Sequence, residues 1–417
     1  MKSLKTLVCS LIAVILLSCS SSTTNNQDYQ NLSEAEMFEL AQQIAQSTII
    51  VDGHVDLPYR MWVDESTHQQ EILNVAERTE GGDYDYPRSK EGGLDAPFMS
   101  IYIPSRYQET GGAKMLADSL IQMTKSIATT WPEKFAMAYS PQDIQNNFEN
   151  GKISLPLGME NGAPIEGDIE NLGYFYDQGI RYITLTHGKD NLIGDSSYDT
   201  TYIHGGLSEF GVLVIKEMNR LGIMVDISHV SDATFYDVME ISKVPVIASH
   251  SSARHFTPGF ERNMDDEMIK KLGDKGGVIM INFGGNFIDQ SFDEKNKNVN
   301  EHIVNWLAEN DFKRSDREAK AYIEKYVEEN NPFPSVEKVA DHIDHVRDLA
   351  GIDHIGLGSD FDGVGDTLPT GLKDVSMYPN LIAELLKRGY SKEDIEKICY
   401  QNIFRVWNKV IAFSEAT

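Results

Sequence analysis

The strongest constraint in this sequence is a rhythm: short, nearly continuous apolar runs alternate with longer segments of helical periodicity. Eight runs stand out, at residues 48–51, 98–103, 153–158, 182–185, 223–227, 244–248, 278–281 and 355–357. Continuous hydrophobicity, as opposed to alternation, marks a strand buried on both faces, as in a parallel sheet. Helical patterns fill the intervals, including residues 212–221, 232–241, 268–272, 336–349 and 380–388. Ser33 and Glu36 have capping-box spacing, which predicts a further helix running to about Gln46. Eight strands with crossover helices predict an α/β fold, a (β/α)8 TIM-like barrel with helical insertions; an open doubly wound sheet is the competing arrangement. The charged stretch 289–334 reads as one such insertion, with a solvated helical surface. No internal repeat is visible.

The residues that follow the runs carry the chemistry. The first run leads into Asp52-Gly53-His54-Val55-Asp56, the third into Met159-Glu160, and the fourth into Thr186-His187. The fifth ends at His229, the sixth at His250, and the last at Asp360-Phe361-Asp362. In a barrel the C-terminal strand ends converge on one mouth, so four histidines and at least three carboxylates would meet there. Neutral imidazoles and carboxylates suit zinc, and a shared carboxylate can hold two ions about 3.5 to 4 Å apart. A single strand-end side chain often does no more than bond a loop, which is the role expected of Asp52. Seven such residues at one rim are a different matter.

Other histidines depart from the pattern. His342 and His345 lie inside the helix 336–349, where exposed helical positions are expected, and His354 precedes its strand at the opposite barrel end. His68, His204, His255 and His302 fall in loops or helices and are set aside.

Acidic residues outnumber basic ones 64 to 37, a formal charge of -27, which opposes general affinity for nucleic acid. Residues 1–18 combine Lys2 and Lys5 with an apolar run from Leu11 to Leu17, the architecture of an export signal. Leu16-Leu17-Ser18-Cys19 resembles the bacterial lipoprotein signal, with Cys19 the lipid-bearing first residue of the mature chain. Residues 19–32 read as a flexible tether, and 33–417 as a single catalytic domain. The expected location is therefore the cell envelope, periplasmic or outer-membrane, and Ser20 after Cys19 favours the outer membrane. Cys9 lies in the signal, so Cys399 is the one thiol left to the domain. A disulfide is excluded, and any metal must be held by His and carboxylates.

Taken together, Asp52 to Pro58, Gly158-Met159-Glu160-Asn161-Gly162, Val225 to Val230, Ser249-His250-Ser251-Ser252-Ala253 and Gly358 to Gly363 resemble the membrane (renal) dipeptidases and their bacterial relatives. The resemblance runs from about Asp52 to Trp407. It implies a (β/α)8 barrel with a binuclear zinc site, in which His54 and Asp56 bind one ion, His229 and His250 the other, and Glu160 bridges them. It further implies that His187 and Asp360 contact substrate at the scissile bond and that Arg262 binds the substrate's terminal carboxylate. The alignment to Arg262 needs one inserted residue, and Arg254 is the neighbouring alternative.

The activity so implied is hydrolysis of the peptide bond of dipeptides by a hydroxide bridging two zinc ions, with Asp360 passing the proton to the leaving amine. Two alternatives stand beside it. One is an amidohydrolase acting on N-acyl amino acids or cyclic amides, although those barrels usually begin with His-x-His where His54-Val55-Asp56 stands. The other is a non-catalytic peptide-binding lipoprotein, which a full ligand set disfavours. Side-chain preference and oligomeric state, a homodimer included, are left open.

Overall fold

The computed structural model describes residues 29–68, 73–314 and 316–417. The export signal expected at 1–18, Cys19, and the tether up to residue 28 lie outside the described residues.

The described residues form ten strands: β1 Ile50–Val55, β2 Leu94–Tyr102, β3 Phe135–Met137, β4 Ile153–Leu155, β5 Leu157–Glu160, β6 Ile180–Thr184, β7 Met224–Asp226, β8 Ile247–Ser251, β9 Val278–Ile281 and β10 Ile355–Leu357. Eight of them close into a barrel in the order β1-β10-β9-β8-β7-β6-β5-β2. Every pairing is parallel, and Asp52 opposite Leu357 completes the ring. The helices between strands match the sequence pattern, with Asp232–Ile241 and Val336–Ala350 agreeing to within a residue. Ser33 and Glu36 form the expected capping box at the start of helix Glu34–Ser47.

The run 153–158 does not form one strand. Pro156 has no N–H to donate to a sheet, and the run divides there. Residues before it pair with β3 in a two-stranded sheet outside the barrel; those after it enter the barrel as β5. The first and sixth runs are displaced in the other direction. β1 and β8 extend beyond residues 51 and 248, so His54 and His250 sit inside the strands instead of just past them.

One apolar cluster gathers Val51, Phe98, Tyr182, Met224, Val278 and Met280 from five barrel strands with Phe404, Trp407 and Val410 of the last helix, Asn402–Ala416. Such a cluster requires those side chains to face the barrel interior, and the terminal helix closes it with Trp407, which packs 5.3 Å from Phe98. The insertion is helical as expected, with Phe292–Glu309 and Arg317–Glu329 sharing a small core of Val299, Ile303, Leu307 and Ala319.

His342 departs from expectation: it is fully buried, not exposed. Its Nδ1 accepts from the Ala253 N–H at 3.0 Å, and its Nε2 lies 3.1 Å from the Ile288 carbonyl, tying the helix to the segment after β8. Because Nδ1 accepts, Nε2 carries the proton and the ring is neutral. Burial lowers its pKa from 6.5 to about 3. Protonation therefore favours the unfolded chain, so the stability this neutral ring supplies is complete above pH 6.5 and is lost as pH falls towards 3. The stability difference between wild type and His342→Gln, measured by denaturant titration, is expected to shrink over that interval. A difference that does not change with pH would contradict the buried neutral assignment.

Candidate metal centre

The strand ends deliver their polar side chains to one small volume, with Glu160 at its centre. The Nε2 atoms of His229, His250 and His187 lie 3.0, 3.3 and 3.5 Å from its Oε1. His54 Nε2 lies 3.4 Å from Glu160 Oε2 and 3.4 Å from Asp56 Oδ2. Asp360 completes a group with His54 and Asp56. All seven residues predicted at the rim are thus brought together, and of these His187 is the most exposed to solvent.

Each is held by partners of its own. Tyr182 Oη lies 2.9 Å from His54 Nδ1, and its hydroxyl also donates to the Gly53 carbonyl. Since a phenol has one proton, His54 Nδ1 must supply the proton of the first contact. Gly158 makes room for that ring: a Cβ there would lie 1.9 Å from Tyr182. His250 Nδ1 meets Ser249 Oγ at 2.7 Å, which in turn bonds Asp226 Oδ2 at 2.6 Å. Asn282 donates to Asp360 Oδ2 at 2.7 Å. Gly363 has the same spatial function as Gly158, because a Cβ there would lie 2.2 Å from Asp56 Oδ2 and 2.4 Å from Asp360 Oδ1.

Backbone geometry also marks the rim. Asn161, His229, Asp360 and Asp362 all have positive φ, between 65° and 81°. Each such non-glycine residue is strained and persists only where its surroundings over-determine it. Here the surroundings include Asp52, expected to bond a loop: its carboxylate accepts from the His54 and Ser359 N–H groups and from Tyr378 Oη. That contact ties β1 to the turn on which Asp360 sits.

The electrostatics follow from burial and crowding. Burial would raise the Glu160 pKa, but His54, His187, His229 and His250 hold it well below the usual range. Burial opposes charge on His54, yet Tyr182, Glu160 and Asp56 hold its pKa well above 6.5. His229 and His250 are driven well down by burial, helped by Arg262 and by His187 or His54 respectively. Asp360 is pushed to about 7, by burial first and by Asp56 and Glu160, against the pull of His54.

These residues fit a divalent metal on structural grounds. His54 Nε2 and Asp56 Oδ1 are buried without a hydrogen-bond partner, and His229 and His250 point their Nε2 atoms at each other across 2.9 Å. Buried polar atoms left unpaired are costly unless a ligand completes them. Imidazole and carboxylate donors converging in this way are the donor set of zinc.

Arg262 is buried beside the centre. It donates to Ser251 Oγ at 2.6 Å and to the His250 carbonyl at 2.8 Å, while its Nε has no partner. Arg254, the sequence alternative, is occupied by a bidentate pair with Asp232 and by the Asn263 carbonyl.

Sequence reasoning passed over Tyr182, Asn282, Asp226, Tyr198 and Tyr102. Asn282 follows β9 directly, the same placement that identified the histidines, and could have been found that way. The Tyr102 and Tyr198 rings pack 4.8 Å from His187 and 5.8 Å from His229; no spacing in the sequence signals them.

Comparisons with known proteins identify the family. The family described as membrane dipeptidase (peptidase family M19) matches residues 38–417. The dipeptidase verJ of Clonostachys rogersoniana is 34% identical over 376 residues, covering 87% of this chain and 84% of that protein. Among solved structures, the probable dipeptidase PvdM from Pseudomonas aeruginosa superposes with a TM-score of 0.75 at 23% identity, covering 91% of this chain and 99% of its own. A metallopeptidase of the same family, dipeptidase AC, gives a TM-score of 0.70 at 26% identity over 87% of this chain and 98% of its own. With a family match that spans the barrel and every residue gathered at its mouth, this chain belongs to the membrane dipeptidase family.

Proposed function

We propose that the chain hydrolyses dipeptides with two zinc ions at the barrel mouth, His54 and Asp56 holding one, His229 and His250 the other, and Glu160 bridging them. The observation that carries this reading is the convergence of four imidazole Nε2 atoms within 3.5 Å of one buried carboxylate. When bound, such a pair of ions supplies Lewis acidity and lowers the pKa of a water.

The chain's own residues do the rest. His187, whose pKa burial lowers, stays neutral and donates a hydrogen bond to the substrate carbonyl as negative charge develops there. Asp360 carries the proton from the attacking water to the leaving amine. Asn282 fixes the orientation of its carboxyl by donating to Oδ2 at 2.7 Å. Arg262 takes the substrate's terminal carboxylate, for which its partnerless Nε is a ready donor. A longer peptide would bring an uncharged amide to the same guanidinium, which restricts the enzyme to dipeptides.

The N-terminal residues support a location. We propose export and anchoring in the cell envelope through a lipid on Cys19, with residues 19–32 as the tether. Among the described residues no helix is long and apolar enough to cross a membrane.

Glu160→Ala is expected to weaken zinc binding by more than about 100-fold, beyond the cost of losing an outer partner, and to abolish turnover; full zinc content by elemental analysis would refute the bridging role. Arg262→Ala should raise KM for dipeptides by about tenfold or more, the scale of one charge-assisted hydrogen bond, with a smaller effect on kcat. Unchanged KM would exclude the carboxylate contact. Cys19→Ala should abolish labelling by radioactive fatty acid and move the protein from the membrane to the soluble fraction. Labelling that survives the substitution would place the lipid elsewhere or remove it from the account.

A further inference from the structure

A second group of metal-competent side chains lies outside the barrel mouth and shares no residue with it. His255 sits in the turn Arg254–Phe256 after β8, Asp266 opens the helix Asp266–Asp274, and His345 projects from the helix Val336–Ala350. His345 Nε2 lies 2.8 Å from Asp266 Oδ1. The His255 and His345 rings stack with centroids 4.4 Å apart and planes inclined by 25°. One donor atom from each of the three residues lies within 4.8 Å of the others.

The contact between His345 and Asp266 by itself is an ordinary pair between two helices. It does not account for His255, which arrives from a third segment, is exposed to solvent, and stacks on the same imidazole. The nearby cations do not oppose an ion: Arg254 is paired with Asp232 and Asp265, and Lys338 with Asp341. Asp266 is close to half exposed and His345 partly so, which gives an ion access from solvent.

We infer that His255, Asp266 and His345 form a further site for a borderline transition-metal cation of the zinc, nickel or copper class, with water in the remaining position. Two imidazoles and one carboxylate are a nitrogen-rich set that favours these ions over calcium or magnesium, which prefer all-oxygen ligation. Metal–donor distances of about 2.0 to 2.2 Å place tetrahedral donors roughly 3.4 Å apart, so the 2.8 Å contact of His345 with Asp266 would open slightly while His255 closes from within 4.8 Å. The ion would join the turn after β8 to two helices.

The test is equilibrium dialysis of the full chain against Zn2+ with the bound ion counted by elemental analysis, for wild type, His255→Ala and Asp266→Asn. Wild type is expected to hold one more ion per chain than either variant, whatever number the barrel mouth takes. Dipeptide turnover at limiting zinc should be the same in all three, which also shows that the variants are folded. Equal zinc content in the three proteins, or retention of the extra ion in either variant, would overturn the three-ligand site.

Discussion

A single buried carboxylate dictates the organisation of this molecule. Glu160 ends a strand in the barrel wall, and its two oxygens face imidazoles delivered by four other segments of the chain. Burying that charge is costly unless it is compensated, and here compensation comes from the histidines themselves. From the protein's own groups, the balance is a raised pKa on His54 against a depressed one on Glu160. A divalent ion held by these residues would supply that positive charge in place of the proton, which would couple metal binding to protonation at this mouth.

Holding that arrangement requires a shell of polar contacts behind it. Tyr182 orients His54, Ser249 with Asp226 orients His250, and Asn282 orients Asp360. These partners fix which ring nitrogen faces the centre, and in metal sites they commonly matter nearly as much as the ligands. Space is controlled as tightly as charge. Glycines at 158 and 363 leave the only room in which the Tyr182 ring and the two aspartates can sit where they do. The left-handed backbone at His229 and Asp360 belongs to the same design: each residue is turned back over the mouth at a conformational cost met by the hydrogen bonds around it.

Much of this was legible from sequence because a parallel barrel writes its plan in a regular way. Buried strands appear as apolar runs, and functional groups follow them, so the sequence alone assigns His54, Glu160, His187, His229, His250 and Asp360 to one rim. The misreadings have local causes. The run 153–158 hid a proline that divides it between two sheets, and periodicity alone does not register a missing N–H. A helix pattern shows which face is apolar without showing what packs against it, so it predicts His342 exposed where the segment after β8 in fact covers it. Tyr182 was counted as a strand residue and nothing more, since its hydroxyl reaches His54 across 128 positions of sequence. Arg262 and Arg254 could not be separated by spacing, and only their partners distinguish them: one is committed to Asp232, the other keeps a free donor beside the centre.

Family membership and geometry converge on metal-dependent dipeptide hydrolysis at the mouth of this barrel. The most direct measurement is dipeptide turnover by protein stripped with a chelator and then titrated with zinc. The account predicts no activity in the stripped protein and recovery that saturates when the mouth holds two ions per chain. Turnover that persists without metal, or that is complete with a single ion bound, would contradict it.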